Sequence, residues 1–489
     1  MSVISAPRHH RPVQPRLIET RPLRNPDLAS ANMMTRRGWW LVALNFLFPG
    51  SAQVLAGSRK LGRFGLGATI FLWALLILAG LCALLWPAGA FSIVAGLWIP
   101  APLSLLRPVP LLLIQALFIA YAVLWIVLTI DTLRLVKLVK AKPLSRIGIP
   151  VLALVLVAVS SSAAAYGAQV TGSTRDALST IFGSSAEVVP PSDGYYNILL
   201  LGADSGEGRD SMRFDSISVV SVNSDTGATT ITGIPRDLGH FPFSEGPMKT
   251  LYPDVHTGKS DPNCGWGSGI NQLRTEVEVC RDGDSLYPDA RDNNSEPGVE
   301  ATKDAAEGLL GIEIPYYVFI DMHGFAEMVD ALGGVDITVD ERLPEGGGPR
   351  YSGESAEEWA SGWIEAGPQH MDGDTAQWYA RSRYTTSDFD RMRRQRQLQE
   401  AMIAQFTPQT VLTRYQGVAA ATSNLMQTDL PQGLLPTLAD LALKAKEQPV
   451  TTIELTPDGA GVDQDKPNVA AVQEVIRAAL HPPTAEPSP

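Results

Sequence analysis

Three stretches of this chain, Phe64–Trp86, Val109–Ile130 and Ile147–Ala168, are apolar for the roughly 20 residues a helix needs to cross a bilayer core. The first third is therefore expected to be an α-helical transmembrane region. A fourth segment, Trp39–Ala56, is apolar but contains Pro49 and Gly50. Between the second and third stretches lie Arg134, Lys137, Lys140, Lys142 and Arg146, against the single acid Asp131. Positive loops stay in the cytoplasm, so Ile147–Ala168 should exit and everything after it should lie outside. Arg59, Lys60 and Arg63 then fall inside, as do the seven arginines from Arg8 to Arg37. No full crossing is left for Trp39–Ala56, which is expected to be re-entrant or interfacial. The alternative is a fourth span with an outside N-terminus, against the charge bias.

The charge splits along the same line. Residues 1–146 hold 16 Lys and Arg against three Asp and Glu, whereas 147–489 hold 23 against 48. A basic, apolar part followed by an acidic, mixed part fits a membrane region and then a soluble domain. The acidic part argues against nucleic acid as a partner, which needs a broad basic face. Residues 1–38 lack an apolar stretch with a small-residue cleavage site, and their Arg/Pro-rich composition predicts a disordered tail. Cys82 sits in a span. Cys264 and Cys280 are the only pair in the outside part, where a disulfide is permitted; two free thiols are the alternative.

Thr171–Gly194, rich in Ser, Gly and Pro, has the composition of a tether. From Tyr195 the pattern changes. Asn197–Leu201, ended by Gly202, is expected to be a buried strand. Ser216–Val222 and Thr229–Ile234 are β-branched runs joined by the turn-rich Asn223–Gly227. Tyr316–Met322 and Val335–Val339 predict two more strands, with room for a helix over Gly324–Leu332. Asp374–Arg383 and Asp388–Phe406 predict helices, the second opened by a capping box of Ser387 and Asp390. Asp282–Glu300 and Glu341–Gly362 are polar inserts. The expected fold is α/β or α+β, as one unit over 195–480 with a short tail at 481–489.

No P-loop, HExxH, GxSxG or CxxC signature occurs. What stands out is arginine beside carboxylate. Asp204, Arg213 and Asp215 lie on a Gly/Ser-rich loop between two apolar strands, where carboxylates suit Mg²⁺ with its waters and phosphate oxygens. A solvated ion pair is the ordinary alternative. Pro235-Arg236-Asp237 directly follows a strand, and a guanidinium fork matches phosphate oxygens as readily as it ties down a turn. Arg381, Arg383, Arg391, Arg393, Arg394, Gln395 and Arg396 crowd two late helices, with Arg391, Arg394, Gln395 and Leu398 on one stripe. A basic helix face is usually just solvated, but in a domain this acidic it is also a candidate anion site.

The order of these blocks carries a resemblance. Asn197-Ile-Leu-Leu-Leu-Gly-Ala-Asp204, Arg213-Phe-Asp215 and Ile234-Pro-Arg-Asp237 come first. Tyr316-Tyr-Val318, Val329-Asp-Ala-Leu-Gly-Gly-Val-Asp336, Gly373-Asp-Thr-Ala376, Tyr379-Ala-Arg-Ser-Arg383 and Ser387-Asp-Phe-Asp-Arg391 follow, ending in Arg394-Gln395. Over about 195–406 this is similar to the LytR-CpsA-Psr family, and the multi-span start and Arg-Ser-Arg spacing look like its actinobacterial members. The resemblance implies a mixed sheet flanked by helices and a cell-wall phosphotransferase. Such an enzyme moves a glycopolymer, such as arabinogalactan or teichoic acid, with its phosphate from a polyprenyl-pyrophosphate carrier to a peptidoglycan sugar hydroxyl. It implies Mg²⁺ (or Mn²⁺) at Asp204 and Asp215. It also implies pyrophosphate contacts from Arg213, Arg236, Arg381, Arg383, Arg391 and Gln395, and a lipid tail in an apolar tunnel. Lys249 matches a family lysine, although Thr250 follows it where the family pattern leads to Asn. Phe214 stands where the family often has Ser. The apolar alternations Ile217/Val219 and Val318/Ile320 are core packing by default and tunnel walls by resemblance. Other functions remain open at this point: a pyrophosphatase acting on the same carrier, a membrane-bound regulator, or a wall-binding module. A regulator would need a cytoplasmic effector domain, and the inside segments are short.

Overall fold

The computed structural model describes residues 23–96, 98–99, 106–181, 188–203, 213–258, 269–405, 426–445 and 448–482. The chain divides into two compact units, one of 1–85 with 112–171, the other of 86–111 with 172–489.

The first unit is helical: α1 (Ala31–Leu47), α2 (Ser51–Ala56), α3 (Arg59–Leu85), α5 (Val109–Val136) and the first part of α6 (Pro143–Ile181), with α4 (Pro87–Val94) belonging to the second unit. Among the described residues, three helices are long and apolar enough to cross a membrane, over Arg59–Leu85, Val109–Lys140 and Pro143–Asp176. The segment Trp39–Ala56 is split between α1 and α2 at Gly50, whose φ of +98° a side chain would rarely adopt. A Cβ there would also lie 2.3 Å from Leu66 N, so the turn can press against α3 only as glycine. Gln53 Nε2 fastens α2 to α5, donating to Leu128 O at 2.7 Å and Thr132 Oγ1 at 2.9 Å. Asn45 Nδ2 does the same for α1, reaching Thr129 Oγ1 at 3.1 Å. Away from water such polar side chains need partners of this kind. Helix α6 runs on to Ile181, well into the segment expected as a tether, because no proline interrupts it between Thr171 and that point.

The second unit is built on a six-stranded mixed sheet, ordered β10-β3-β2-β1-β4-β9, the α/β architecture expected from the sequence. Its strands are β1 (Tyr195–Ala203), β2 (Ser216–Asn223), β3 (Thr229–Ile234), β4 (Tyr316–Asp321), β9 (Met426–Thr428) and β10 (Thr451–Glu454). The meander β1-β2-β3 is antiparallel; β4 returns parallel to β1 and β10 parallel to β3. Two small hairpin-like pairs complete the strands, β5 (Val335–Val339) with β8 (Gly367–Met371) and β6 (Leu343–Glu345) with β7 (Leu343↔Ile364 register, Gly362–Ile364).

Period-two alternation gives the sheet two faces. Leu199, Leu201, Ile217, Val219, Tyr317 and Phe319 point into the main core, where α8 (Pro297–Leu310) packs through Ala305, Ala306 and Leu309. Pro297 opens α8 in the first turn, where its missing N–H costs nothing, so the polar insert expected over Asp282–Glu300 ends inside a helix. The C-terminal α13 (Val469–Leu480) closes the same core with Val472, Ile476 and Leu480, and Tyr195 OH donates to Leu480 O. On the other face Tyr196, Ile198 and Tyr316 meet Leu434 and Leu441, the latter from α12 (Leu435–Ala445). Burying a leucine such as Leu441 contributes about 1.5–3 kcal/mol.

Two boundaries differ from expectation. The strand predicted to reach Met322 stops at Asp321, whose Oδ1 accepts from Gly324 N at 2.5 Å and so caps α9 (Met322–Leu332). The helix predicted to reach Arg383 is α10 (Gly373–Arg381), which leaves Arg383 on the following loop. The expected capping box is present at α11 (Asp388–Gln405): Ser387 N donates to Asp390 Oδ2 at 2.9 Å, and Asp390 N to Ser387 Oγ at 3.1 Å. α7 (Gly246–Leu251) carries Lys249.

Candidate active site

Because β1 and β3 run the same way and β2 against them, the end of β1, the start of β2 and the end of β3 open at one sheet edge. Arg213, Phe214 and Asp215 therefore approach β2 beside the Pro235-Arg236-Asp237 turn. Backbone bonds hold the two together: Asp215 N donates to Gly202 O, Phe214 N to Asn271 O, and Asn271 N to Arg236 O. Phe214 is fully buried, which accounts for an apolar residue between two polar ones.

Arg236 is the centre of the cluster. Its Nη1 lies 2.6 Å from Asp215 Oδ1, its Nε 3.4 Å from Asp237 Oδ2, and its Nη2 3.5 Å from Asp388 Oδ1. Asp388 opens α11 and also reaches Arg391 Nη2 at 3.1 Å. Burial disfavours charge on Arg236, but Asp388, Asp237 and Asp215 outweigh it and hold the guanidinium above its usual value. Arg391 is more deeply buried and has less compensation. Burial lowers it, Arg236 and Arg383 repel it, and Asp388 and Asp215 offset only part. Burial likewise lifts the Asp237 carboxyl above the usual range, with Arg236 pulling the other way.

Arg391 Nε is buried without a hydrogen-bond partner among the described residues, and Arg236 Nε and Asp388 Oδ1 are buried with only the ion-pair contacts given above in place of a hydrogen bond. Each unsatisfied buried group costs about 1–3 kcal/mol. An anion with several oxygens would satisfy Arg391 Nε and give Arg236 Nε a closer partner than Asp237. The donor set fits a divalent oxygen-seeking ion in type, since such ions take one or two carboxylates and complete their shell with water and phosphate. Asp204 lies outside the described residues, and among the described residues no group of three or more His, Cys, Asp or Glu is placed to hold a metal ion together.

The remaining site residues fall in graded positions. Arg383 is exposed on the loop after α10 and near enough to Arg391 to act on its charge. Arg381 is half-buried with its guanidinium carbon 5.3 Å from the Trp378 ring centroid, a cation–π contact that fixes its direction. Arg213 is exposed at the cluster's edge. Lys249 makes no ion pair with the cluster among the described residues, and α7 is instead packed against α8.

Arg394 has a different role from its neighbours. It donates to Tyr379 O, Ser382 O and Thr386 Oγ1, clamping the loop that carries Arg383. Arg396 and Gln399 turn to the sheet, bonding Ser216 and Ser218, with Glu454 of β10 at 3.7 Å from Arg396 Nε. The face of β2 toward α11 is thus polar.

Beside the cluster lies a cavity of about 190 Å³ walled mainly by apolar side chains, among them Leu200, Val318, Ile320, Phe325, Leu398 and Met426. Gln395, one turn beyond Arg391, lines it; its Nε2 donates to Ala380 O at 3.3 Å and its Oε1 is unsatisfied. Gly202 and Ser216 line it too, so the cavity reaches the same sheet edge as the arginines. Of the two alternations expected as tunnel walls, Val318 and Ile320 face this cavity, whereas Ile217 and Val219 lie in the main core. They occupy opposite faces of one sheet. Asp388 was missed as a bridging residue because its spacing announces a helix start and a partner at Arg391, while Arg236 arrives only through the fold.

Cys280 is disulfide-bonded and Cys82 is free; Cys264 lies outside the described residues.

The sequence matches the LytR_cpsA_psr family model over residues 156–240 and 284–478. Its relatives include the polyisoprenyl-teichoic acid–peptidoglycan teichoic acid transferase TagU of Bacillus cereus (strain AH820), 30% identical over 239 residues, 48% of this chain and 61% of that one. Biofilm regulatory protein A of Streptococcus mutans is 24% identical over 291 residues, 58% of this chain and 62% of that one. The match thus spans about three fifths of the length of these relatives. Among solved structures, protein gbs0355 of Streptococcus agalactiae superposes with a TM-score of 0.42 at 24% identity, covering 58% of this chain and 88% of that one. TagV of B. subtilis gives 0.38 at 20%, covering 58% and 97%.

Proposed function

The chain belongs to the LytR-CpsA-Psr family, and on that premise we propose that it transfers a glycopolymer, with its phosphate, from a polyprenyl-pyrophosphate carrier to a peptidoglycan sugar hydroxyl. The observation that carries this reading is the juxtaposition of two buried guanidiniums, Arg236 and Arg391, the latter with an Nε left without a hydrogen bond, and an apolar cavity lined by Gln395 one turn further along the helix of Arg391. A polyanionic head joined to a long apolar chain is the ligand that both halves require. The transferases named among the relatives support the acceptor class.

The chemistry asked of these residues is placement and charge neutralisation. Arg236, Arg391 and Arg383 hold the pyrophosphate oxygens, Arg381 and Arg213 approach from the rim, and Gln395 marks the passage from head to tail. The acceptor hydroxyl oxygen bonds to the phosphorus that bears the sugar polymer. The bridging P–O bond to the lipid phosphate breaks, and polyprenyl monophosphate leaves. The hydroxyl proton passes to a carboxylate of the cluster. Each charge-assisted contact is worth about 1.5–3 kcal/mol, which is why several are gathered on one leaving group. Mg²⁺ or Mn²⁺, held by Asp215 with Asp204, supplies further charge neutralisation when bound.

The second unit acts outside the cell membrane and the N-terminus and Asp131–Arg146 lie inside, by the charge bias of the loops. Full-length protein in nanodiscs, given a labelled lipid-pyrophosphate glycan and peptidoglycan fragments, should yield polymer–phosphate–peptidoglycan and polyprenyl monophosphate, and EDTA should stop it. Release of free polymer phosphate with no peptidoglycan adduct would mean hydrolysis instead.

A further inference from the structure

Trp86–Leu111 contains five prolines and a single charged residue, Arg107. Its two ends run into the candidate spans Arg59–Leu85 and Val109–Lys140, yet the segment belongs to the same compact unit as the sheet. Its helix α4 has eight residues, about 12 Å, which cannot cross a hydrocarbon core of about 30 Å. α4 packs instead along α12, the helix whose Leu441 lies in the cluster with Tyr196 and Tyr316.

Several apolar side chains of its described residues are exposed. Trp86 is 64% exposed, Ile93 52%, Trp98 65% and Leu106 48%. The lone cation is spent internally: Arg107 Nε donates to Ile99 O at 3.4 Å. Gly96, at φ +70°, lets the chain close on itself there, since a Cβ would lie 2.3 Å from Arg107 O. An ordinary connecting loop in water would carry polar side chains in these positions.

We propose that the exposed apolar residues Trp86, Ile93, Trp98 and Leu106 form an interfacial surface that seats in the outer leaflet of the bilayer and, through α4 on α12, docks the sheet domain to the lipid surface. Three observations select lipid as the occupant. Both ends of the segment emerge from candidate spans, so it cannot leave the bilayer surface by more than its own short reach. Its exposed side chains are apolar with tryptophans among them, the residue that partitions to the headgroup boundary. Its one charged side chain, Arg107, is half-buried and turned to a backbone carbonyl of the same segment. The inference does not depend on which reaction the domain performs.

The test uses the full chain reconstituted in vesicles of phosphatidylglycerol and phosphatidylethanolamine, with a small fraction of phospholipid carrying a diazirine in its acyl chain. After illumination, adducts are mapped by peptide mass spectrometry. Labelling at Trp86, Ile93 and Trp98 within about threefold of that along Arg59–Leu85, with α12 unlabelled, is the expected result. Independently, Trp98→Phe should lower the share of emission quenched by brominated phospholipids. An unlabelled segment beside a labelled Arg59–Leu85 overturns the proposal. So do cross-links joining this segment in two copies of the chain, which would make the occupant a second copy.

Discussion

Asp388 Oδ1 lies 3.5 Å from Arg236 Nη2, and that approach joins the first turn of α11 to the loop after β3. The same carboxylate holds Arg391, so one acid sets the spacing of two guanidiniums that otherwise repel each other.

Asp388→Ala should therefore loosen both arginines at once. Transfer should fall by about 10–100-fold, with KM rising more than kcat falls, since what is lost is the placement of ligand-binding groups. Leaving two charged partners short of an acceptor should cost about 1–3 kcal/mol of stability. The unlike pair Asp388→Asn tests charge against shape: it keeps the hydrogen-bonding outline but should repair little of the KM. Full activity in either variant would show that the bridge is incidental.

Arg394 and Arg383 should separate cleanly. Arg394 serves Tyr379, Ser382 and Thr386, so Arg394→Ala should lower the urea midpoint by an amount equivalent to about 2–4 kcal/mol. Arg383 is exposed, and Arg383→Ala should leave stability within about 0.5 kcal/mol while removing most transfer. Arg383→Lys keeps the charge but not the fork, and should recover only a small part of the activity. Equal stability losses at the two positions would overturn the division of labour.

The pH dependence of stability should have two limbs. Burial lifts the Asp304 carboxyl to about 7, helped by Glu307, Glu300 and Glu245 and opposed by the hydrogen bond from Tyr287. In the unfolded chain it titrates at about 3.9. Between those values the folded form keeps a proton the unfolded form has lost, so stability falls as pH rises from about 4 to about 7, by up to about 4 kcal/mol. Glu276 acts oppositely: burial raises it, but hydrogen bonds from His256, Tyr252 and Arg281 win and hold it at about 2. Its contribution is present above about 4.3 and fades as pH falls toward 2. Asp304→Asn should flatten the upper limb only. An unchanged slope between pH 5 and 7 in that variant would refute the assignment.

Thiol labelling should find one free cysteine per denatured, unreduced chain, Cys82, because Cys280 is disulfide-bonded. Cys280→Ser should lower stability by about 3 kcal/mol if its partner is the Cys264 suggested by the sequence, a loop of modest length. Three labelled thiols in the unreduced protein would show that no bridge forms.

Much of this arrangement was legible in the sequence where periodicity decides it. Thr229–Ile234 and Val335–Val339 are strands at the expected residues because alternation and flanking turns bound them on both sides. Tyr195 and Tyr196 were not read into β1, since a strand end next to a glycine turn carries no pattern of its own. Asp215 and Arg236 stood out by residue type, each beside a sequence neighbour, but their contact with each other, like that of Arg236 with Asp388, depends on how the elements are set together. The cavity was legible only in part. Alternation marks Val318 and Ile320 as one face of a strand, but it cannot say whether that face meets side chains or empty space. Arg396 looked like part of a solvated basic face and is instead 2% exposed, because Glu454 reaches it from a four-residue edge strand too short to announce itself.

The bond from Tyr195 OH to Leu480 O joins the first strand of the sheet to α13. β10 pairs with β3 from the same late stretch, and Leu455, Val472 and Ile476 fill the core that β1 and β2 begin. A nascent chain therefore carries an unfinished sheet, with β3 as an open edge, until residues 451–480 arrive. If the domain is exported in order of synthesis, its sheet and core are completed only after residues 451–480 have crossed. Small truncations at the far end, well removed from every arginine of the cluster, should then register first as degradation during export rather than as weakened catalysis.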